Sequence, residues 1–164
     1  MEIKPGEGSI ATRKVAFLVA DGVSKASVDK MKTALEAEGA EAVLISTKVG
    51  TLKYKEGDTE TVQHTYLTDA SVCYDAFYTP EGDSVAVLAD EPDYHHFLNE
   101  GYRHCKALAF DKGAEKLLED TYIIKKGKDD GVILASEKNL TKDFIHIMKG
   151  HRLWDREKAR KVPV

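Results

Sequence analysis

Hydrophobic residues along this chain alternate between short continuous runs and runs with helical spacing. The first continuous run, Lys14 to Ala20, stops at Asp21-Gly22, which is typical of a buried parallel strand that ends in a turn. A helix is predicted next, capped by Ser27 and ended by Gly39. Glu41 to Ser46 is the following strand. This strand-helix-strand unit, with a right-handed crossover, indicates the start of a doubly wound sheet.

The middle of the chain follows a different pattern. Apolar residues recur at every second position from Val49 to Thr68, around a turn at Lys55-Glu56-Gly57-Asp58. We therefore expect a small hairpin excursion, and we place His64 and Tyr66 in it. Asp75 to Thr79 is predicted to be a core strand again.

The second half of the chain repeats the strand-helix pattern. Apolar residues from Tyr94 to Cys105 have helical spacing and come just after Pro92, a common first residue of a helix. Lys106 to Phe110 is the next strand, and Asp111-Lys112-Gly113 leads into another helix. The remaining predictions are two short strands, Thr121 to Ile124 and Val132 to Ala135, and a last helix with an apolar stripe formed by Leu140, Phe144, Ile147 and Met148.

The composition limits the class of protein. A chain of 164 residues with 42% apolar residues has enough material for one domain with its own core. A net charge of −4 disfavours binding to nucleic acid and to anionic membranes. The apolar runs are too short to span a bilayer, and the N-terminus lacks the pattern of a secretion signal. Two cysteines without a CxxC pair fit a reducing compartment, so we expect a cytoplasmic location.

Three regions of the chain differ in character. Residues 1–12 contain a Pro-Gly-Glu-Gly run without periodicity and are predicted to be a linker or N-terminal arm. Residues 13–150 carry the strands and helices of the domain. Residues 151–164 are predicted to be a charged tail of the same domain, with a solvated helix anchored by Trp154. Binding of an acidic partner by the basic residues of this tail is the less favoured interpretation.

Ligands of open α/β sheets bind beyond the carboxyl ends of the strands, which directs attention to the loops Asp21 to Ser27, Pro80 to Ser84 and Asp111 to Glu115. The first loop has the glycine and serines of a phosphate site. It matches neither GxGxxG nor the P-loop pattern, however, and Asp21 would repel an anion. A loop that leads into a helix is therefore favoured over a flavin or nucleotide site.

The turn Asp111-Lys112-Gly113 has the pattern of a nucleophile elbow, in which a strained turn lifts one side chain above the sheet. A cysteine or serine at position 111 would indicate acyl transfer, and an aspartate can also act as a nucleophile. We favour a helix cap, in which the Asp111 carboxylate accepts hydrogen bonds from the first N–H groups of the next helix. Lys112 is expected to be solvated. No catalytic residue is assigned.

The six histidines do not have the spacing of a metal site. His95 and His96 are adjacent and point to different sides of their helix, and no pair is four residues apart. We expect His104 to interact with the C-terminal end of its helix. Cys105 lies on the apolar face and is expected to be a buried structural thiol.

Three segments together resemble the C-terminal domain of large-subunit bacterial and fungal haem catalases. They are TRKVAFLVADGVSKASV (Thr12 to Val28), DAFYTPEGDSVAVL (Asp75 to Leu88) and FLNEGYRHCKALAF (Phe97 to Phe110), and the ending HRLWDREKARKVP is similar too. The resemblance covers nearly the whole chain from Thr12. It implies a flavodoxin-like three-layer α/β/α sandwich, with a mostly parallel doubly wound sheet, of the class I glutamine amidotransferase-like superfamily that includes the PfpI-type proteases.

Active members of that superfamily carry a cysteine at the elbow and an acidic residue after the first strand. By this resemblance Asp111 occupies the cysteine position, a residue near Ala26 occupies the acidic position, and the usual Pro-Gly-Gly reads Pro80-Glu81-Gly82. The resemblance thus implies a non-catalytic chain without a cofactor of its own, because haem would belong to an upstream catalase domain. The expected partners are that upstream domain and further copies of the chain, not nucleic acid or membrane.

Two functions remain open at this point. The first is a structural module that supports the fold and oligomer of a catalase decomposing hydrogen peroxide, or a free-standing homologue with a chaperone-like holding activity. The alternative is a small hydrolase or glyoxalase-like enzyme that uses Asp111 and needs a base roughly 3 Å away. The sequence does not separate a catalase fragment from a stand-alone protein.

Overall fold

The computed structural model of the chain describes residues 8–123 and 128–159. The strands are β1 (Lys14–Leu18), β2 (Glu41–Ser46), β3 (Gly50–Lys53), β4 (Thr59–Val62), β5 (His64–Thr65), β6 (Ala76–Thr79), β7 (Ala107–Phe110) and β8 (Val132–Leu134). The α-helices are α1 (Lys25–Ala37), α2 (Ser84–Ala89), α3 (Pro92–Arg103), α4 (Leu140–Lys149) and α5 (Asp155–Ala159). Ser71–Cys73 and Lys112–Asp120 are 3₁₀ segments.

The main sheet has six strands in the order β5-β2-β1-β6-β7-β8, and all of its pairs are parallel. Central β1 pairs with β2 on one side, Val15 opposite Ala42, and with β6 on the other, Val15 opposite Ala76. The chain therefore winds outward in both directions from β1, and the predicted doubly wound sheet is confirmed. β1 is a continuous apolar run because helices cover both faces of the sheet.

Successive residues of β1 belong to two separate cores. Val15 and Phe17 pack with α1 and α4, whereas Ala16 and Leu18 pack with α2, α3 and the segment Lys112–Asp120. This alternation follows from the two-residue period of a strand. The result is the three-layer α/β/α sandwich that the sequence resemblance implied.

The predicted hairpin is confirmed over β3 and β4, which pair antiparallel with Gly50 opposite Val62. His64 and Tyr66 lie outside it, so their assignment to the hairpin is wrong. His64 instead belongs to β5, parallel to β2, and Tyr66 is buried with its hydroxyl donating to the Val19 carbonyl oxygen at 2.9 Å. Alternation alone does not say which sheet a strand joins.

Two local predictions near helix ends are also corrected. Ser24, not Ser27, caps α1, and its Oγ accepts a hydrogen bond from the Ser27 N–H at 3.3 Å. Thr121 to Ile124 was predicted to be a strand, but Tyr122 and Ile123 are helical, and Ile124 lies outside the described residues. Ile123 is fully buried, so its apolar character reflects burial rather than strand geometry.

The C-terminal segment is held by an arginine rather than by Trp154, which is 50% exposed and does not anchor it. Arg156 forms two bonds to the Asp129 carboxylate, Nε to Oδ2 at 2.5 Å and Nη2 to Oδ1 at 2.9 Å. Its Nη1 donates to the Lys106 carbonyl oxygen at 2.6 Å, and the guanidinium lies 4.3 Å from the Tyr102 ring centroid. Apolar size alone suggested the wrong anchor.

The domain boundaries drawn from the sequence stay predictions. The described end of the predicted arm packs on the domain, because Ile10 is fully buried and the Thr12 N–H donates to the Gly39 carbonyl oxygen at 2.9 Å. Residues 1–7 of the arm and 160–164 of the tail lie outside the described residues. Among the described helices, none is long and apolar enough to cross a membrane.

Candidate functional site

The loops that follow β1 and β6 lock together at the carboxyl edge of the sheet. The Ser24 N–H donates to the Glu81 carbonyl oxygen and the Asp83 N–H donates to the Gly22 carbonyl oxygen, both at 2.9 Å. Gly82 has φ +136, and a Cβ there would lie 2.6 Å from the Gly22 carbonyl oxygen. Only glycine fits at this position, so the close approach of the two loops is built into the Pro80-Glu81-Gly82 turn.

Asp111 follows β7 at this edge, but its side chain does not cap the next helix. The segment Lys112–Asp120 is 3₁₀ rather than α-helical, and the Asp111 carboxylate makes no capping hydrogen bond. Its Oδ2 instead accepts from the Tyr78 hydroxyl at 2.7 Å and from the Glu81 N–H at 3.1 Å. The predicted cap is wrong because the neighbouring strand β6 presents better-placed donors.

Tyr78 is the main residue of this site that sequence reasoning missed. Its side chain is buried, and burial together with the Asp111 charge raises the pKa of the phenol far above its usual value. The hydroxyl therefore stays protonated and donates to Asp111; it is not a base. The available signal was a tyrosine near the end of an otherwise apolar strand, in register with Ala109 of β7.

Glu81 fills the other side of the elbow. Its Oε2 accepts a hydrogen bond from the Gly113 N–H at 3.2 Å, and a Cβ on Gly113 would lie 3.0 Å from the Glu81 Cβ. Lys112, which lies between Asp111 and Gly113 in the chain, is exposed, as expected. The chain thus turns from β7 into a 3₁₀ segment, but Asp111 has an ordinary extended backbone with φ −62 rather than the strained turn of a nucleophile elbow. Carboxylates of the chain itself accept from the backbone N–H groups at this turn.

In and around the loop Asp21 to Ser27, backbone N–H groups are likewise paired with carboxylates of the chain. The Lys25 N–H at the start of α1 donates to Glu56 Oε2 at 2.9 Å, and this hydrogen bond lowers the pKa of the Glu56 carboxyl. Asp21 accepts from the Lys53 N–H at 3.0 Å, which lowers the pKa of its carboxyl as well. A phosphate would have to displace Glu56 from the helix N-terminus. Glu56 comes from the hairpin, a contact that no local pattern indicates.

An open groove of about 440 Å³ lies beside Asp111. Its lining combines two lysines, two acids and several neutral side chains: Ser27, Lys30, Met31, Tyr78, Glu81, Asp111, Ala135, Lys138, Asn139, Leu140 and Thr141. None of these is a histidine or cysteine that could act as base or thiol nucleophile. A carboxylate that accepts two hydrogen bonds is a poor nucleophile, so the arrangement favours a structural role for Asp111.

Within residues 8–123 and 128–159, no three metal-ligating side chains come together. His95 Nε2 lies 3.0 Å from the Ala89 carbonyl oxygen, and His104 Nε2 lies 3.3 Å from Glu100. Cys105 is 1% exposed, which confirms its predicted burial, while Cys73 is exposed.

The chain is similar to the proteins of a known family. A family model for the C-terminal domain found in long catalases matches residues 11–158. The chain belongs to this family. The resemblance noted in the sequence is thereby confirmed for this catalase C-terminal domain.

Two similar proteins are full-length catalases. Catalase HPII of Pseudomonas putida is 35% identical over 156 residues, which cover 94% of this chain and 21% of that protein. Catalase-B of Dictyostelium discoideum is 26% identical over 160 residues, covering 95% of this chain and 23% of that protein. The catalase C-terminal domain described here thus spans between a fifth and a quarter of the length of these relatives.

Two solved structures that the chain resembles contain domains of the PfpI type. A ThiJ/PfpI domain protein from Brachyspira murdochii superposes with a TM-score of 0.66 at 15% identity, covering 84% of this chain and 97% of that one. A two-domain protein with DJ-1/ThiJ/PfpI-like and ferritin-like domains from Anabaena variabilis gives a TM-score of 0.61 at 21% identity, covering 65% and 31%. These likenesses confirm the flavodoxin-like fold.

Proposed function

We propose that this chain is the non-catalytic C-terminal module of a long catalase and that it supports the fold and oligomer of the parent enzyme. The observation that carries the proposal is the internal pairing at the carboxyl edge of the sheet. Three backbone donors there, the N–H groups of Glu81, Gly113 and Lys25, point at the carboxylates of Asp111, Glu81 and Glu56. The chain itself therefore occupies these three donors.

This pairing argues against catalysis for a physical reason. An acyl-transfer site needs free backbone donors aimed at the oxygen that becomes negative in the transition state. Here full negative charges already occupy those donors, and an anionic intermediate would be repelled by them. The alternative, a hydrolase or glyoxalase-like enzyme that uses Asp111, is also disfavoured, because Tyr78, which contacts the Asp111 carboxylate directly, donates its proton to it and does not act as a base.

We also propose partners and a location, supported by the family and by the surface of the chain. The upstream haem domain of a catalase is the proposed first partner, further copies of the chain the second, and haem would be held upstream rather than here. Leu67 and Val72 are 81% and 70% exposed and offer apolar contact area for a neighbouring domain or for chaperone-like holding. A chain with two cysteines and no CxxC pair fits a reducing compartment, which supports a cytoplasmic location.

The proposal is tested first by deletion of this domain from a full-length catalase that carries it. The expected result is loss of oligomer assembly and of heat resistance, measured by sedimentation and by residual peroxide decomposition after heating. Unchanged assembly and heat resistance would show that the domain does not support the parent.

A second experiment tests the alternative function, a hydrolase or glyoxalase-like enzyme. The purified chain and its Asp111→Asn variant are assayed with activated esters and with methylglyoxal. We expect neither protein to exceed the buffer rate. Turnover by the chain that disappears in Asp111→Asn would establish the hydrolase or glyoxalase-like function instead.

A further inference from the structure

The amino ends of the central strands, at the opposite edge of the sheet from Asp111, carry a second group of charges. Arg13 precedes β1, Asp75 precedes β6 and Lys106 precedes β7. Because these three strands are neighbours in the sheet, the three side chains start from adjacent positions along this edge. None of them belongs to the site described above.

The C-terminal segment brings two more basic residues to the same place. The Leu153 N–H donates to the Cys105 carbonyl oxygen at 2.7 Å, which fixes the segment across the start of β7. His151 has a left-handed backbone, φ +67, and turns the chain after α4. Its ring contacts the Arg13 guanidinium, and Arg152 Nη1 donates to its carbonyl oxygen at 3.1 Å. We call Arg13, Asp75, Lys106, His151 and Arg152 the amino-end cluster.

The positive charges of the amino-end cluster are incompletely paired within the described residues. Arg13 Nη1 and Arg152 Nη2 both lie 3.6 Å from the same oxygen, Oδ1 of Asp75. A charge-assisted N–H to O bond is about 2.8 Å, so neither guanidinium makes a full bond with this carboxylate. The other Asp75 oxygen is already engaged, because it accepts from the Lys14 N–H at 3.0 Å.

Burial also affects two basic side chains of the amino-end cluster, Lys106 and His151. Lys106 is 2% exposed, and its Nζ donates to the Ser71 carbonyl oxygen at 2.7 Å. Burial, with repulsion from Arg152, lowers the pKa of Lys106 to about 8. Burial, and then the charges of Arg152 and Arg13, also lower the pKa of the His151 imidazole. The guanidiniums remain reachable, since the Arg13 and Arg152 side chains are 23% and 16% exposed.

We propose that the amino-end cluster binds a small oxyanion of the phosphate class through the guanidiniums of Arg13 and Arg152, on the side that Asp75 does not occupy. Two planar guanidinium forks match the oxygens of such an anion, and partial burial strengthens the attraction relative to open water. The single negative charge of Asp75 does not balance the three positive charges of Arg13, Lys106 and Arg152. A bound anion would reduce the remaining repulsion among them. It would also tie the beginning of β1 to the C-terminal segment.

The experiment is a titration of the whole chain with inorganic phosphate at constant ionic strength, kept constant with sodium chloride. We expect a saturable rise in thermal stability and, by NMR of the histidine rings, a rise in the pKa of His151, because a nearby anion favours the imidazolium. Arg13→Gln and Arg152→Gln should each weaken binding about tenfold, the effect of one lost charge-assisted bond. Arg152→Lys keeps the charge without the fork and should bind more weakly than the unchanged chain.

Lys30→Gln and Lys138→Gln serve as matched controls, because these lysines line the groove at the opposite end of the sheet. Both should bind phosphate like the unchanged chain. A response that equals that of sodium chloride, or one that is the same in Arg152→Lys and in the unchanged chain, would overturn the proposal. This outcome is independent of the deletion experiment, since it does not involve a catalase domain or turnover.

Discussion

The two edges of the central sheet differ in how completely their charged groups are paired. At the carboxyl edge, backbone N–H groups meet carboxylates of the chain, with Asp111 held by Tyr78 and Glu81. At the amino edge, the guanidiniums of Arg13 and Arg152 both face one carboxylate, Asp75, at distances longer than a full hydrogen bond. The same strands, β1, β6 and β7, supply both edges, so the difference arises in the loops. The carboxyl edge, where open α/β sheets bind their ligands, is thus the edge at which carboxylates of the chain itself occupy the backbone donors.

The largest effect is expected from Arg156→Ala, which removes the anchor beside the amino edge. The substitution leaves Asp129 and the carbonyl oxygens of Lys106 and Tyr102 without their guanidinium partner. The loss of this half-buried ion pair together with two buried hydrogen bonds to carbonyl oxygens should cost about 3 to 5 kcal/mol of unfolding free energy, since each bond to a charged group contributes about 1.5 kcal/mol. The cost is measured by urea denaturation. The control is Arg103→Ala, which removes an arginine that pairs with Glu100 at the exposed end of α3 and should cost less than about 1 kcal/mol. Equal effects of the two substitutions would contradict the anchoring role.

Gly82→Ala is the matching test at the carboxyl edge. The new Cβ would meet the Gly22 carbonyl oxygen at 2.6 Å in a backbone with φ +136, and we expect a loss of about 3 kcal/mol. Gly57→Ala is the control, since Gly57 has φ +99 but no atom within 4 Å of an added Cβ. It should cost about 1 kcal/mol, from backbone strain alone. Similar losses in urea denaturation would mean that the close loop contact is not needed.

Lys106→Met tests the charge excess at the amino edge through its pH dependence. The pKa of Lys106 in the folded state, about 8, lies below the usual lysine value of about 10.4. Below pH 8 the buried ammonium therefore lowers the free energy of unfolding by its full amount. This destabilisation disappears as the pH rises from 8 toward about 10.4, because the folded chain loses the proton first. After allowance for the lost bond to Ser71, the variant should be more stable than the unchanged chain by about 2 kcal/mol at pH 7. The difference should shrink by pH 10. A variant that is less stable at pH 7 in guanidinium denaturation would contradict this prediction.

Tyr78→Phe gives the smallest expected effect and isolates the bond that turns Asp111 away from the helix. Loss of the hydroxyl should cost about 1 kcal/mol in urea denaturation, because the partly exposed carboxylate regains water as a partner. Tyr74→Phe is a suitable comparison, since its hydroxyl also donates to a carboxylate, Asp69, at 2.5 Å, away from the elbow. If Asp111 kept its position in a structure of Tyr78→Phe, the Glu81 N–H alone would hold it.

Much of the fold could be predicted because each signal was local. Continuous apolar runs such as Lys14 to Ala20 predict strands covered on both faces, and Gly39, with φ +82, ends α1 where the pattern placed its end. The family resemblance added the three-layer arrangement and the altered elbow. Short segments such as Tyr122-Ile123 misled because a few buried apolar residues fit a strand or a helix equally well.

The sequence by itself determined most of the strands and helices and placed Asp111 at the turn after β7. The tertiary structure alone decided where the Asp111 carboxylate points, because its partner Tyr78 is 33 residues away in the chain and one strand away in the sheet. The same holds for Glu56 at the start of α1 and for the meeting of Arg13 with Arg152 around Asp75. Hydrogen bonds and ion pairs act over a few ångströms in space, and the order of parallel strands, not sequence distance, sets which side chains come that close.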